Sequence, residues 1–167
     1  QALESTLQNM QNEWGPFQVL INNAANDDRH DPAAVTPAYF ENRMAVNLRH
    51  QFFCAQTVAS TLRQAKQGGV ILNLGSISWH LGLPQLSLYM TAKAGIEGMT
   101  RGLARDLGAD GIRVNCIVPG AVRTPRQMKL WQTPESEAEL IKAQCLPKRI
   151  EPEHVAAMAL FLASDDA

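Results

Sequence analysis

Three short apolar runs, set between segments of helical periodicity, constrain what this chain can fold into more than any other feature. They are Val19-Leu20-Ile21, Val70-Ile71-Leu72-Asn73-Leu74 and Ile112-Arg113-Val114-Asn115-Cys116-Ile117-Val118, all rich in β-branched residues. Such side chains pack well on a pleated surface. A run that is apolar through most of its length is buried on both faces, as in a parallel sheet covered by helices on either side. Turn residues punctuate each run. The first ends in Asn22-Asn23-Ala24-Ala25, the second follows Gly68-Gly69 and ends in Gly75-Ser76, and the third follows Asp110-Gly111 and ends in Pro119-Gly120.

The intervening segments read as helices. An opening helix, with Gln1 already inside it, precedes the first run. Phe40, Met44, Leu48, Phe52, Ala55, Val58 and Leu62 recur at helical spacing over about residues 38–65. Ile96, Met99, Leu103 and Leu107 do so over about 88–107, and a last helix runs over about 152–163. The order αβαβαβ predicts right-handed crossovers and an α/β fold with a doubly wound parallel sheet. From Val122 to about Pro147 the pattern is irregular and rich in long charged side chains, as expected of a mobile loop or helical lid. Sheets of this type bind ligands beyond the carboxyl ends of their strands. All three predicted strands end in small or polar residues, which let a flat ligand approach the backbone, so they point to one crevice.

Composition narrows the function classes. A net charge of −1 gives no electrostatic reason to expect nucleic acid or an anionic membrane as partner. No apolar run approaches the length of a membrane span, and no secretory signal opens the sequence. Cys54, Cys116 and Cys145 form no Cys-x-x-Cys and are odd in number, so free thiols and a cytoplasmic location are expected.

Tyr89-Met90-Thr91-Ala92-Lys93 carries the chemistry. Residues four apart on a helix share a face. An ammonium beside a phenol favours the phenolate and is expected to lower the Tyr89 pKa towards the working pH. A phenol so tuned takes a proton from a substrate hydroxyl, or returns one to a carbonyl. Ser76, just after the second strand, offers a second hydroxyl for the same substrate oxygen. Asn47 is a poor interior-helix residue in the middle of a predicted helix, which marks it as a candidate. Trp79 reads equally well as core or as the aromatic wall of a ligand pocket. Asp27-Asp28 lacks a third ligand at suitable spacing, so no metal site is expected there and a solvated loop or helix cap is the reading.

Taken together, Asn22-Asn23-Ala24-Ala25, Met44-Ala45-Val46-Asn47, Asn73-Leu74-Gly75-Ser76, Tyr89-x-x-x-Lys93, and Val114 to Gly120 with Thr124 following resemble the short-chain dehydrogenase/reductase family in order and spacing. The segments Asn22–His30 and Gly75–Gly82 resemble most closely the members of that family that oxidise aldoses. The resemblance implies residues 1–167 as a single NAD(P)-binding Rossmann-like domain, its central and C-terminal part. The family's Gly-rich pyrophosphate turn and closing strand fall outside these residues, and Ala25 stands where the family more often has Gly.

It also implies roles. Ser76, Tyr89, Lys93 and Asn47 would be catalytic, Tyr89 as the general base. Lys93 would also hold the nicotinamide ribose, and Asn47 would distort its helix and bind a water that links Lys93 to solvent. Asn23, Ala24, Ala25, Tyr89, Lys93, Pro119, Gly120, Val122 and Thr124 would line the cofactor, and Asn26, Ser76, Trp79, His80, Tyr89 and Gln127 the sugar. The expected reaction transfers a hydride from the anomeric carbon of an aldose, a pentose such as D-xylose, to NAD or NADP, with NAD favoured, giving the lactone. A homotetramer is the expected assembly. A short-chain dehydrogenase/reductase acting on another alcohol or ketone, and a truncated non-catalytic module, remain the alternatives.

Overall fold

A computed structural model describes residues 2–167; Gln1, expected inside the opening helix, lies outside the described residues. Helix α1 (Ala2–Trp14) leads into strand β1 (Val19–Asn22). After a short 3₁₀ turn come α2 (Pro37–Met44), a π-turn (Ala45–Arg49) and α3 (His50–Ala65). Strand β2 (Gly69–Leu74) is followed by the single-turn α4 (Ser78–Leu81) and the long α5 (Ser87–Leu107). Strand β3 (Ile112–Ile117), α6 (Pro125–Leu130), α7 (Pro134–Lys142) and α8 (Pro152–Ala163) complete the order.

The three strands form one parallel sheet in the order β1-β2-β3, in a register that sets Asn22 beside Asn73 and Asn73 beside Cys116. The α/β, doubly wound, Rossmann-like reading therefore holds. Strand side chains alternate between faces. Ile112 and Val114 pack with Ala55, Val58, Ala59 and Leu62 of α3, with Ile71, and with Leu107 of α5, in the main buried cluster. Arg113, one residue out of step, points the other way and donates to the carbonyls of Leu162 and Ser164 at the end of α8. Helices thus cover both faces.

Gly68 and Gly69 do more than break a helix. A Cβ on Gly68 would come within 2.7 Å of the Gly111 carbonyl oxygen, and one on Gly69 within 2.6 Å of Leu62 Cδ1. These glycines let β2 enter the sheet close against β3 and α3. Lys66 closes α3 in the left-handed conformation, with φ of 55°.

The distortion expected at Asn47 is present, and it moves the apolar stripe away from the sequence reading. The helix expected over 38–65 is interrupted there by the π-turn. The buried face of α3 runs through Gln51, Cys54, Ala55, Val58 and Leu62, leaving Phe52 at 39% exposure and Phe40 at 40%. Of the mobile loop and the helical lid expected from Val122 to about Pro147, the region takes the helical form, in α6 and α7. Each starts on a threonine cap, with the Thr124 and Thr133 hydroxyls accepting from the backbone N–H of Gln127 and Ser136. All three cysteines are free.

Candidate active site

The carboxyl ends of the three strands bring the predicted residues to one edge of the sheet. Under them lies a buried amide network. Asn22 Nδ2 donates to Asn73 Oδ1 at 2.9 Å and to the Gln51 carbonyl at 3.2 Å, while Asn73 Nδ2 donates to Thr100 Oγ1 at 3.0 Å. Three buried side chains therefore tie β1, β2 and α5 together, and the carbonyl adds α3. Satisfied buried amides of this kind fix relative positions because any slip leaves a polar group without a partner.

Lys93 is 2% exposed, and its Nζ donates to the Leu74 carbonyl at 2.6 Å, pinning α5 to the end of β2. Burial pushes its pKa down to about 8, with Cys116 acting weakly the other way. The ammonium has three N–H groups, so donors remain after the Leu74 bond. Gly75, next along the chain, is closely packed: a Cβ there would meet Cys116 Sγ at 3.0 Å and Val118 Cγ2 at 3.2 Å.

Tyr89 is half-buried one helical turn before Lys93, whose Nζ stands 5.5 Å from the ring centroid. The direction of its pKa corrects the expectation. Burial raises the phenol above its ordinary value; a hydrogen bond with Ser76 opposes this, and the negative charge of Asp27 adds to it. The lysine does not lower it, because its ammonium is turned to the Leu74 carbonyl and is itself disfavoured by burial. The phenol is held in its protonated form.

Ser76 follows β2 and faces Tyr89. Its hydroxyl bonds Ser78 Oγ at 2.9 Å and accepts from the Ser78 backbone N–H at 3.2 Å. Ser78 is 4% exposed and holds Ser76 in place. Asn47 is fully buried in the π-turn; its Oδ1 accepts from the Asn26 backbone N–H at 2.7 Å, and its Nδ2 has no hydrogen-bond partner among the described residues. A buried amide N–H of this kind is what a residue expected to bind water presents.

Asn23, Ala24 and Ala25 are exposed at the end of β1. The Pro119 carbonyl accepts from Ile77 N at 3.1 Å, linking the ends of β2 and β3. Gly120 packs against Ile150, whose Cδ1 would lie 2.9 Å from a Cβ there and would have to move to admit it. Val122 forms a bridge with Ile150, and Thr124 caps α6.

The expected sugar residues divide. Ser76, Tyr89 and, through its backbone, Asn26 belong to the cluster around Asn47 and the phenol. Gln127 donates to Asp27 at 2.7 Å. Trp79 and His80 stack on each other at 3.7 Å, and both turn to Glu97 of α5: Trp79 Nε1 donates at 2.6 Å, and His80 Nε2 lies 3.4 Å away. Asp27, Ser78 and Glu97 stand at the site without a role among those expected from sequence. Only Asp27 carries a signal in sequence, the paired acids that read as a solvated loop or helix cap. Among the described residues no three His, Cys, Asp or Glu side chains converge as metal ligands.

The two ionisable groups give a prediction. The folded pKa of Lys93, about 8, lies below its ordinary value, so between the two the unfolded chain binds the extra proton and stability rises with pH. The cost of burying the charge is fully present below about pH 8 and is relieved as pH climbs towards about 10.4. Lys93→Met has no such charge. Across that window the unsubstituted protein should gain up to about 3 kcal/mol relative to Lys93→Met, read from denaturant midpoints. A constant difference would show that the ammonium is not buried as described.

A family model described as enoyl-(acyl carrier protein) reductase matches residues 1–167. D-xylose 1-dehydrogenase of Caulobacter vibrioides is 63% identical over 155 residues, covering 93% of this chain and 62% of that protein. A protein of Rhizobium meliloti provisionally named galactose dehydrogenase is 46% identical over 92% of this chain and 59% of its own length. The chain thus spans about three fifths of the length of these curated relatives. A crystal structure from Sinorhizobium meliloti 1021, provisionally described as a short-chain alcohol dehydrogenase, matches at a TM-score of 0.91 and 29% identity, over 98% of this chain and 65% of that one.

Proposed function

The chain belongs to the short-chain dehydrogenase/reductase family, and on that premise we propose that it oxidises an aldose, a pentose such as D-xylose, at its anomeric carbon with NAD or NADP. The observation that carries the reaction type is the meeting of Ser76 and Tyr89 beside a buried Lys93. The aldose reading is supported by the likeness to relatives named for D-xylose and galactose.

The residues present fit a nicotinamide dinucleotide. Exposed Ala24 and Ala25 and the side-chain-free Gly120 leave the strand ends open to a flat ligand, and Lys93 keeps donors for a ribose. Asn23, Pro119, Val122 and Thr124 complete the proposed cofactor rim. When bound, the nicotinamide supplies the acceptor for the hydride that leaves carbon 1.

The chain's own groups handle the proton. In its phenolate form, which burial makes the minor one below the phenol's raised pKa, Tyr89 Oη takes the proton from the anomeric hydroxyl as the carbonyl of the lactone forms. Ser76 Oγ bonds the same oxygen and stabilises the charge that develops there. The raised phenol places the balance on the proton-donor side, so the same residues return a proton to a carbonyl in the reverse reaction. Asn47 and Asn26 support this edge, while Trp79, His80 and Gln127 are proposed to border the sugar.

We place the protein in the cytoplasm, as a homotetramer and with NAD favoured. Free cysteines support the first. The open space around Gly98 and Gly102 on α5, together with exposed Phe52 and Phe53 on α3, supports an association surface. No helix among the described residues is long and apolar enough to cross a membrane.

The test is a panel of aldoses and unrelated secondary alcohols offered to the full-length protein with NAD and with NADP, read by reduced-nicotinamide absorbance. A pentose is expected to give the highest kcat/KM, with NAD ahead of NADP. Faster turnover of a non-sugar alcohol than of every aldose would overturn the substrate reading.

A further inference from the structure

We propose that Asp27 is a positioning residue for this reaction: its carboxylate fastens helix α6 to the loop after β1 and so holds Gln127 and Thr124 at the proposed sugar and cofactor edge. The proposal rests on the aldose reading for its substrate, but on contacts of its own for its structure. Asp27 Oδ2 accepts from Gln127 Nε2 at 2.7 Å, and Oδ1 accepts from Arg126 Nη2 at 3.0 Å and Nε at 3.3 Å. Both donors lie in the first turn of α6, and Thr124, proposed for the cofactor rim, caps that same turn. The far end of α6 is gripped by the same loop, since the Arg29 guanidinium stacks 4.3 Å over the Trp131 ring. One loop therefore holds both ends of the helix.

The other side of the loop is equally tied down. The Asn26 backbone N–H donates to Asn47 Oδ1 at 2.7 Å, so residues 26 and 27 join the π-turn to the covering helix. The neighbouring acid is engaged elsewhere, with Asp28 pairing with Arg43 at 3.3 Å. Asp27 is also the more sheltered member of its pair, at 20% exposure against 49% for Arg126. An exposed guanidinium contributes little on its own. The hydrogen bond from the neutral Gln127 amide to the charged carboxylate is the stronger contact. A carboxylate seated this way also lies near the chemistry, because its charge is felt at the Tyr89 phenol.

The test uses the full-length protein with Asp27→Ala, with Asp27→Asn, and with Asp27→Ala in an Arg126→Ala/Gln127→Ala background. Two readouts are taken: the KM values for aldose and cofactor beside kcat, and trypsin cleavage after Lys129 within α6. For Asp27→Ala the aldose KM is expected to rise about tenfold to a hundredfold, the worth of a hydrogen bond to a charged group. The cofactor KM should rise too, because Thr124 caps the same turn, but less than the aldose KM, and the melting temperature should stay within a few degrees of the unsubstituted protein. Cleavage at Lys129 should become several-fold faster. In the background lacking both α6 partners, removing Asp27 should add nothing further. Asp27→Asn, which keeps the shape and an acceptor for Gln127, should fall between. Unchanged cleavage with unchanged KM, or losses that add fully in the triple variant, would overturn the proposal. If the unsubstituted protein oxidises no aldose, the substrate reading fails while the cleavage measurements still decide whether Asp27 holds α6.

Discussion

Tyr89→Phe in the full-length protein is expected to lower kcat for aldose oxidation by about 10²–10⁴-fold, the usual worth of a positioned general base, while the cofactor Kd stays unchanged. The substitution removes one oxygen and keeps the ring that packs beside Lys93. Folding and cofactor affinity are therefore controls. The pH profile adds a signature. Burial holds the phenol above its ordinary value, so the reactive phenolate becomes more abundant as pH rises, and turnover of the unsubstituted enzyme should climb through the alkaline range. Phe has no proton to lose, and the residual rate of the variant should lack that climb. Near-normal turnover in Tyr89→Phe would remove the phenol from the mechanism.

Ser76→Ala is the second large effect. Loss of one preorganised hydrogen bond to a reacting oxygen costs about 10²–10³-fold in kcat, and that is the expected loss here. The bond from Ser76 is also what opposes the burial of the phenol, so without it the Tyr89 pKa rises further. The alkaline climb of the oxidation rate should consequently move to higher pH. A serine serving only as a turn former would leave the position of that climb untouched, because Ser78 would still begin α4. Kinetics across pH therefore separate the two roles more sharply than a single rate.

Much of this edge of the sheet was legible because its physics is local. The apolar runs at 19–21, 70–74 and 112–118 became strands because β-branched residues bounded by Gly and Asn leave few alternatives. Tyr89 and Lys93 share a face because the helix period puts them there. What was not legible depended on burial and on partners distant in sequence. Nothing local states that the Lys93 ammonium is 2% exposed and spent on the Leu74 carbonyl, and so the direction of the Tyr89 shift was misjudged. Asp27 read as a loop acid because its partners, Arg126 and Gln127, are about a hundred positions away. His30 Nε2 lies 2.9 Å from Ser87 Oγ at the start of α5, another contact that no local pattern displays. Trp79 left two readings open, and the indole N–H resolves to Glu97 of α5, a contact periodicity does not reveal.

The five-residue π-turn at Ala45–Arg49 puts α2 and α3 out of phase along one screw axis. An α-helix advances about 100° per residue. Removing a single amino acid from that stretch would let the coil regularise, which is locally favourable, and would swing everything on its amino-terminal side by roughly that angle. Asn47 would then turn away from Asn26, although every atom of the Tyr89, Lys93 and Ser76 side chains remained in the sequence. Chain length at this one place, rather than side-chain identity, is thus where the architecture is least forgiving.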